Sequence, residues 1–150
     1  MLILGDSVSI GYTPYVVQYM SNIAMVQHSP YDTRDGGAEE TAYGIQCLDY
    51  MLRSPGGLLL KPDVIMFNWG LHDGPLGNDT VPGQAGLPDV YAPQLNTITQ
   101  RLMQAEPQAK LLFALTSPVM CNVTSDGCVV NLNNQAATIM DKYQIPTINL

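Results

Sequence analysis

The sequence predicts an α/β domain with a parallel sheet covered by helices on both faces. Three observations carry that expectation. Short apolar runs such as Leu2–Leu4, Val64–Asn68 and Leu111–Leu115 read as strands buried on both faces, as parallel sheets require. Between them, apolar residues recur at steps of three and four, the spacing of a helix with one buried face. A chain of 150 residues, 46% apolar and only 13% charged, can bury one sizeable core and is poorly suited to disorder.

Taken in order, Leu2–Leu4 is the first strand, and Thr13 can cap a helix with Pro14 at its first position. Tyr12, Val16, Tyr19, Met20 and Ile23 follow at helical spacing, and Ala24–Gln27 is a short second strand. A polar, Gly-rich loop, Ser29–Gly37, leads into the clearest helix, Ala38–Arg53, with Ala38, Ala42, Ile45, Leu48 and Leu52 on one face. Glu39 and Glu40 are expected in its first turn, where the helix dipole favours anions. Lys61-Pro62-Asp63 is a turn before the Val64–Asn68 strand.

The long loop from Gly70 to Pro88, rich in Gly and Pro, has the length of a functional loop. Asp89 can cap a helix presenting Tyr91, Leu95, Ile98 and Leu102. After the Leu111–Leu115 strand, Leu132, Ala136, Ile139 and Tyr143 mark a last helix, and Thr147–Leu150 is a final strand. Neither an internal repeat nor a domain boundary interrupts the series, so residues 1–150 read as a single domain. A strand at the very end leads us to expect a C-terminally truncated chain.

The formal charge of −7, with six thinly spread basic residues, argues against nucleic acid and anionic membranes as partners. No run approaches the ~20 apolar residues of a membrane span. Met1 leads straight into a core strand without a charged leader, so we expect a cytosolic protein or a lost true N-terminus. Other signs point to secretion. Asn78-Asp-Thr80 and Asn122-Val-Thr124 match the N-glycosylation pattern, and Cys121 and Cys128 flank a Gly-containing loop that a disulfide could close. Localisation and oligomeric state therefore stay open. Cys47, within an apolar helical pattern, reads as a buried thiol.

Three segments fall at or after the C-terminal ends of strands, the edge where α/β sheets gather ligands. They are Gly5-Asp6-Ser7, Asp35-Gly36-Gly37 and Asn68-Trp69-Gly70-Leu71-His72-Asp73. Acyl transfer needs a nucleophile, a base and donors for a developing oxyanion. Ser7 can attack, and Gly36 or Gly37 can bring a bare backbone N–H close to a ligand. A side chain of the third segment can complete the donor set.

This trio resembles the SGNH (GDSL-type) hydrolase family. Gly5-Asp6-Ser7 matches its first block, Gly37 its second, and Gly70-Leu71-His72-Asp73 its third, Gly-x-Asn-Asp. The resemblance spans nearly the whole chain. It implies a three-layer α/β/α sandwich with a flavodoxin-like parallel sheet of order 2-1-3-4-5. It also implies a serine ester hydrolase acting on a small-molecule ester through an acyl-serine intermediate, without metal or other cofactor. Ser7 would be the nucleophile, and the Ser7 and Gly37 N–H groups with His72 would hold the oxyanion. Asp6 and Asp73 would be supporting residues.

Two departures qualify the match. His72 stands where the family usually has Asn, although an imidazole N–H can also donate to an oxyanion. The family's last block, Asp-x-x-His, has no counterpart in residues 1–150, so the usual base is missing and the chain as given is expected to be inactive. The two histidines present, His28 and His72, are the internal candidates to replace it.

Rival readings remain open at this point. The nucleophile-elbow pattern Gly-x-Ser-x-Gly fails at Ser9, and neither Gly-x-Gly-x-x-Gly nor a Walker A pattern occurs. Asp6, His72 and Asp73 could contribute to a metal-dependent phosphoesterase, although two histidines are few for a two-metal site. A flavodoxin-like binding module could cradle a phosphate with Ser7, Ser9 and Gly11 and stack a flavin on Trp69. A catalytically dead SGNH-like domain is the third alternative.

Overall fold

The computed structural model describes residues 1–31, 36–74, 88–118 and 123–150. Strands β1 (Leu2–Leu4), β2 (Gln27–Ser29), β3 (Val64–Phe67), β4 (Lys110–Ala114) and β5 (Thr147–Ile148) alternate with helices α1 (Ser7–Tyr19), α2 (Thr41–Met51), α3 (Pro88–Ala105) and α4 (Val123–Lys142). The strands pair in parallel in the order β2-β1-β3-β4-β5, the order that the resemblance implies.

Successive strand residues point to opposite faces. Leu2, Leu4, Ile65, Phe67 and Phe113 face the larger core, under Leu48 of α2, Leu95 and Ile98 of α3 and Leu132 of α4. Ile3, Met66 and Ala114 face the other way, against Tyr12 and Val16 of α1. The result is three layers, with α1 on one face and the remaining helices on the other. Tyr91, Leu95, Ile98 and Leu102 are all buried, as their spacing predicts. Burying each Leu or Ile contributes about 1.5–3 kcal/mol. Arg101 ties α3 to α2 by donating to the Ile45 carbonyl and pairing with Asp49 at 2.9 Å.

Several element boundaries differ from the sequence expectation. Helix α1 starts at Ser7, not at Thr13, because Asp6 caps it: the Asp6 carboxylate accepts the Val8 N–H at 2.9 Å. Pro14 therefore sits inside the helix, and the Thr13 hydroxyl instead donates to the Ser9 carbonyl at 2.7 Å. Strand β2 lies three residues later than expected. Ala24 still belongs to the turn after α1, its N–H donating to Met20 O at 2.9 Å, and pairing with β1 begins at Gln27.

Helix α2 is shorter than Ala38–Arg53. Glu39 has a φ of 47° and Glu40 is the cap residue, so both precede the first turn instead of filling it. Helix α3 opens on Pro88, which places Asp89 in its first turn and not at the cap. Helix α4 begins at Val123, so most of the segment expected as a loop between Cys121 and Cys128 is helical. An interior Gly such as Gly127 costs about 1 kcal/mol relative to Ala, and burial of Val129, Leu132, Ala136 and Met140 outweighs it. Cys128 is half-buried; Cys121, the other half of the expected bridge, lies outside the described residues, as do Asn122 and the Asn78–Thr80 segment. Cys47 is a free, half-buried thiol. Among the described residues no helix is long and apolar enough to cross a membrane.

Candidate active site

Strand β1 delivers the chain into a turn at the C-terminal edge of the sheet. Ser7 is the first residue of α1 and is exposed, whereas Asp6 beside it is buried. The Asp6 carbonyl accepts the Ile10 N–H at 3.1 Å, and its side chain caps Val8. A hydroxyl held at a helix N-terminus sits where the dipole favours negative charge.

Gly37 is brought onto this turn by backbone contact. It forms an antiparallel bridge with Asp6, and the neighbouring Ala38 N–H donates to the Gly5 carbonyl at 2.9 Å. Gly37 has a φ of 83°, and a Cβ added there would lie 2.9 Å from the Asp6 Cα. Only glycine fits so close an approach in that conformation. Asp35, the first residue of this segment, lies outside the described residues.

The third segment closes on the second. His72 is half-buried, and a Cβ built on Gly36 would stand 3.7 Å from its Cε1. Trp69 is buried and donates from Nε1 to the Ala38 carbonyl at 3.0 Å, while Tyr91 donates to the Trp69 carbonyl at 2.8 Å. Trp69 is thus a buried brace between the two segments. Asn68 donates to the Ala114 carbonyl at 2.7 Å and to Thr116 Oγ1 at 3.1 Å, joining β3 to β4 at the same edge.

Asp73 is 3% exposed and caps α2 from a distant part of the chain. Its carboxyl accepts the Thr41 N–H at 3.0 and 3.2 Å and also the Thr41 hydroxyl. Burial pushes its pKa up to about 6; the Thr41 hydrogen bonds oppose that rise, and the Glu40 carboxyl adds to it. Thr41 was not singled out in the sequence, since nothing local links it to a residue 32 positions away.

His28 ends in a different set of contacts from those a base for Ser7 would need. Its Nε2 lies 2.7 Å from Ser9 Oγ and its Nδ1 lies 3.1 Å from the Pro30 carbonyl oxygen. Burial lowers its pKa, while the Pro30 hydrogen bond and the nearby Asp6 carboxylate act the other way. Ser9, buried on α1, is a second residue the sequence reading left without a catalytic role.

A cavity of about 20 Å³ opens among Asp6, Ser9, Tyr12, Asn68 and Thr116, enough for one water. Tyr12 on its wall is held up at a pKa of about 12 by burial and by Asp6. A larger cleft, about 450 Å³, lies near Met1, Ala24, Gln27 and Lys61, at the opposite edge of the sheet. Parallel α/β sheets place ligands at the carboxyl ends of their strands, so the smaller opening is the relevant one. Among the described residues no three His, Cys, Asp or Glu side chains gather as a metal site. Asp6 and Asp73 are instead each engaged at a separate helix N-terminus.

Neither a family model nor a curated protein matches the chain. Solved structures do. An acetyl xylan esterase superposes with a TM-score of 0.75 over 99% of this chain and 76% of its own, at 14% identity. A GDSL-like lipase from Bacteroides thetaiotaomicron gives 0.65 over 99% and 66%, at 10% identity. A psychrotrophic esterase from Pseudoalteromonas sp., solved inhibited by monoethylphosphonate, gives 0.63 over 99% and 75%, at 14% identity. This chain therefore has the α/β/α fold of the SGNH hydrolases and spans 66 to 76% of the length of these three proteins.

Proposed function

We propose that this chain is the greater part of a serine ester hydrolase that acts on a small-molecule carboxylic ester through an acyl-serine intermediate. Ser7 Oγ attacks the ester carbonyl carbon. The oxyanion that forms is held by the Ser7 and Gly37 backbone N–H groups and by an N–H of His72. Asp6 and Asp73 support this arrangement by fixing the N-termini of α1 and α2. The reading is carried by one observation: the Asp6–Gly37 bridge, with His72 beside Gly36, gathers three segments far apart in sequence around an exposed serine.

The general base belongs to a residue outside 1–150 in this proposal. The sequence has two histidines. His28 Nε2 faces Ser9, and among the described residues no hydrogen bond joins His72 to Ser7. Loss of the base removes most of the rate of such a site and leaves oxyanion and binding contributions. Residues 1–150 alone are therefore proposed to hydrolyse esters poorly. The likeness to esterases, one of them inhibited by a phosphonate, makes a phosphonate the natural probe.

The test is covalent labelling of the full-length protein by a serine-directed fluorophosphonate, followed by peptide mass spectrometry. The expected adduct is on Ser7 and is lost in Ser7→Ala. Undiminished labelling of Ser7→Ala would refute the assignment. Sequencing the coding region past Leu150 locates the base: an in-frame His is expected, and a stop codon there favours a dead SGNH-like domain.

A further inference from the structure

We infer that His28 is a positioning residue for Ser7, acting through the direction in which the Ser9 hydroxyl points. The inference rests on the reading of Ser7 as nucleophile, but its geometry is independent of that chemistry.

Hydrogen counting carries it. The Pro30 carbonyl can only accept, so His28 Nδ1, 3.1 Å away, is the donor. Nε2 then faces Ser9 Oγ at 2.7 Å, and the same Oγ lies 2.7 Å from the Asp6 carbonyl oxygen. A serine hydroxyl has one proton, and here two acceptors compete for it when the imidazole is neutral. With His28 protonated, Nε2–H donates to Ser9, and Ser9 donates to Asp6 O. With His28 neutral, the Ser9 proton turns to Nε2, and among the described residues Asp6 O keeps only the Ile10 N–H, 3.1 Å away. The Asp6 carbonyl is the backbone group immediately before Ser7, so the charge on His28 sets how firmly that turn is held.

The contact is built into the fold. Ser9 is 2% exposed. A Cβ added to Gly5 would lie 2.6 Å from Ser9 Oγ, so Gly5 leaves the room in which the hydroxyl sits. Strand register places His28 opposite Ile3, one residue before the end of β1. Of the elements packed on β2, β1 has no titratable side chain and α1 has only Tyr12, Tyr15 and Tyr19. Among the described residues, Asp6 is the charged group that acts on His28, and it favours the protonated ring.

The experiment follows backbone amide exchange of Val8 and Ile10 in the full-length protein across the His28 titration, itself read by NMR of the imidazole carbons. Protection at Ile10 is expected to fall about fivefold as His28 loses its proton, the worth of one net hydrogen bond. His28→Gln should remove the step, and Ser9→Ala should remove it while His28 still titrates. The rate of Ser7 phosphonylation should step at the same pH in the wild type and not in Ser9→Ala. Ile10 protection that is flat through the titration, or a step that survives in Ser9→Ala, overturns the inference. A wild type that shows the exchange step but no Ser7 adduct refutes Ser7 as nucleophile, and leaves the relay standing on the exchange result.

Discussion

Asp73 makes stability depend on pH in a direction opposite to most carboxylates. An Asp stabilised as a carboxylate loses its contribution as pH falls. Here burial dominates, and the folded-state pKa rises from the usual 3.8 to about 6. The folded protein therefore binds more protons at this site than the unfolded chain does between those values. Stability from this group is fully present below about pH 4 and is lost as pH rises through about 6. At about 1.4 kcal/mol per pH unit, the gap is worth about 3 kcal/mol.

Asp73→Asn removes the titration and keeps a side-chain oxygen that can accept from Thr41 N or Oγ1. Urea denaturation of both proteins from pH 3.5 to 7.5 isolates the term, because the other titrating groups largely cancel in the difference. Relative to Asp73→Asn, the wild type should lose about 3 kcal/mol between pH 4 and 7. A difference that is flat, or that moves in favour of the wild type as pH rises, would falsify the reasoning.

Further predictions bear on the site and its support. Gly37→Ala forces a Cβ toward the Asp6 backbone at positive φ, so it should lower stability by about 1–3 kcal/mol and slow labelling of Ser7; unchanged melting and labelling would contradict the contact. Among the described residues, both carboxyl oxygens of Glu40 are buried without a hydrogen-bond partner. Glu40→Met should therefore raise stability by about 1–3 kcal/mol, and a lower Tm would show that the carboxyl is satisfied. His72→Asn retains an N–H donor and should stay within about tenfold of the wild-type labelling rate, whereas His72→Ala should fall by about 10²–10³. Equal, severe losses in both would point to His72 as the base.

Strands β1, β3 and β4 and the buried faces of α3 and α4 were legible because their signal is local and periodic. Tyr91, Leu95, Ile98 and Leu102 are spaced as a helix face and all are buried. Boundaries were less legible where a competing contact decides them. Thr13-Pro14 is a sound start signal, yet Asp6, seven residues before Thr13, caps the helix through Val8 N–H. Ala38 carries the right helical spacing, yet Glu39 after it has a φ of 47°, so α2 waits until Thr41. The candidate site residues Ser7, Gly37, His72 and Asp73 were proposed from their own segments. Ser9, His28 and Thr41 act through partners 19 to 32 positions away, and no pattern in one sequence records such pairs.

The way the segments are tied together explains why turn residues as ordinary as Gly, Asp and Ser can form a site. Two aspartates cap two helices. Asp6 caps α1 locally, so it fixes Ser7 whether or not the rest of the site is in place. Asp73 caps α2 across the chain, so it joins the His72 segment to the helix that Gly37 leads into. The first cap joins residues two positions apart, and the second joins residues 32 positions apart. Loosening Asp73 should therefore disturb His72 and Gly37 together while leaving the α1 cap intact.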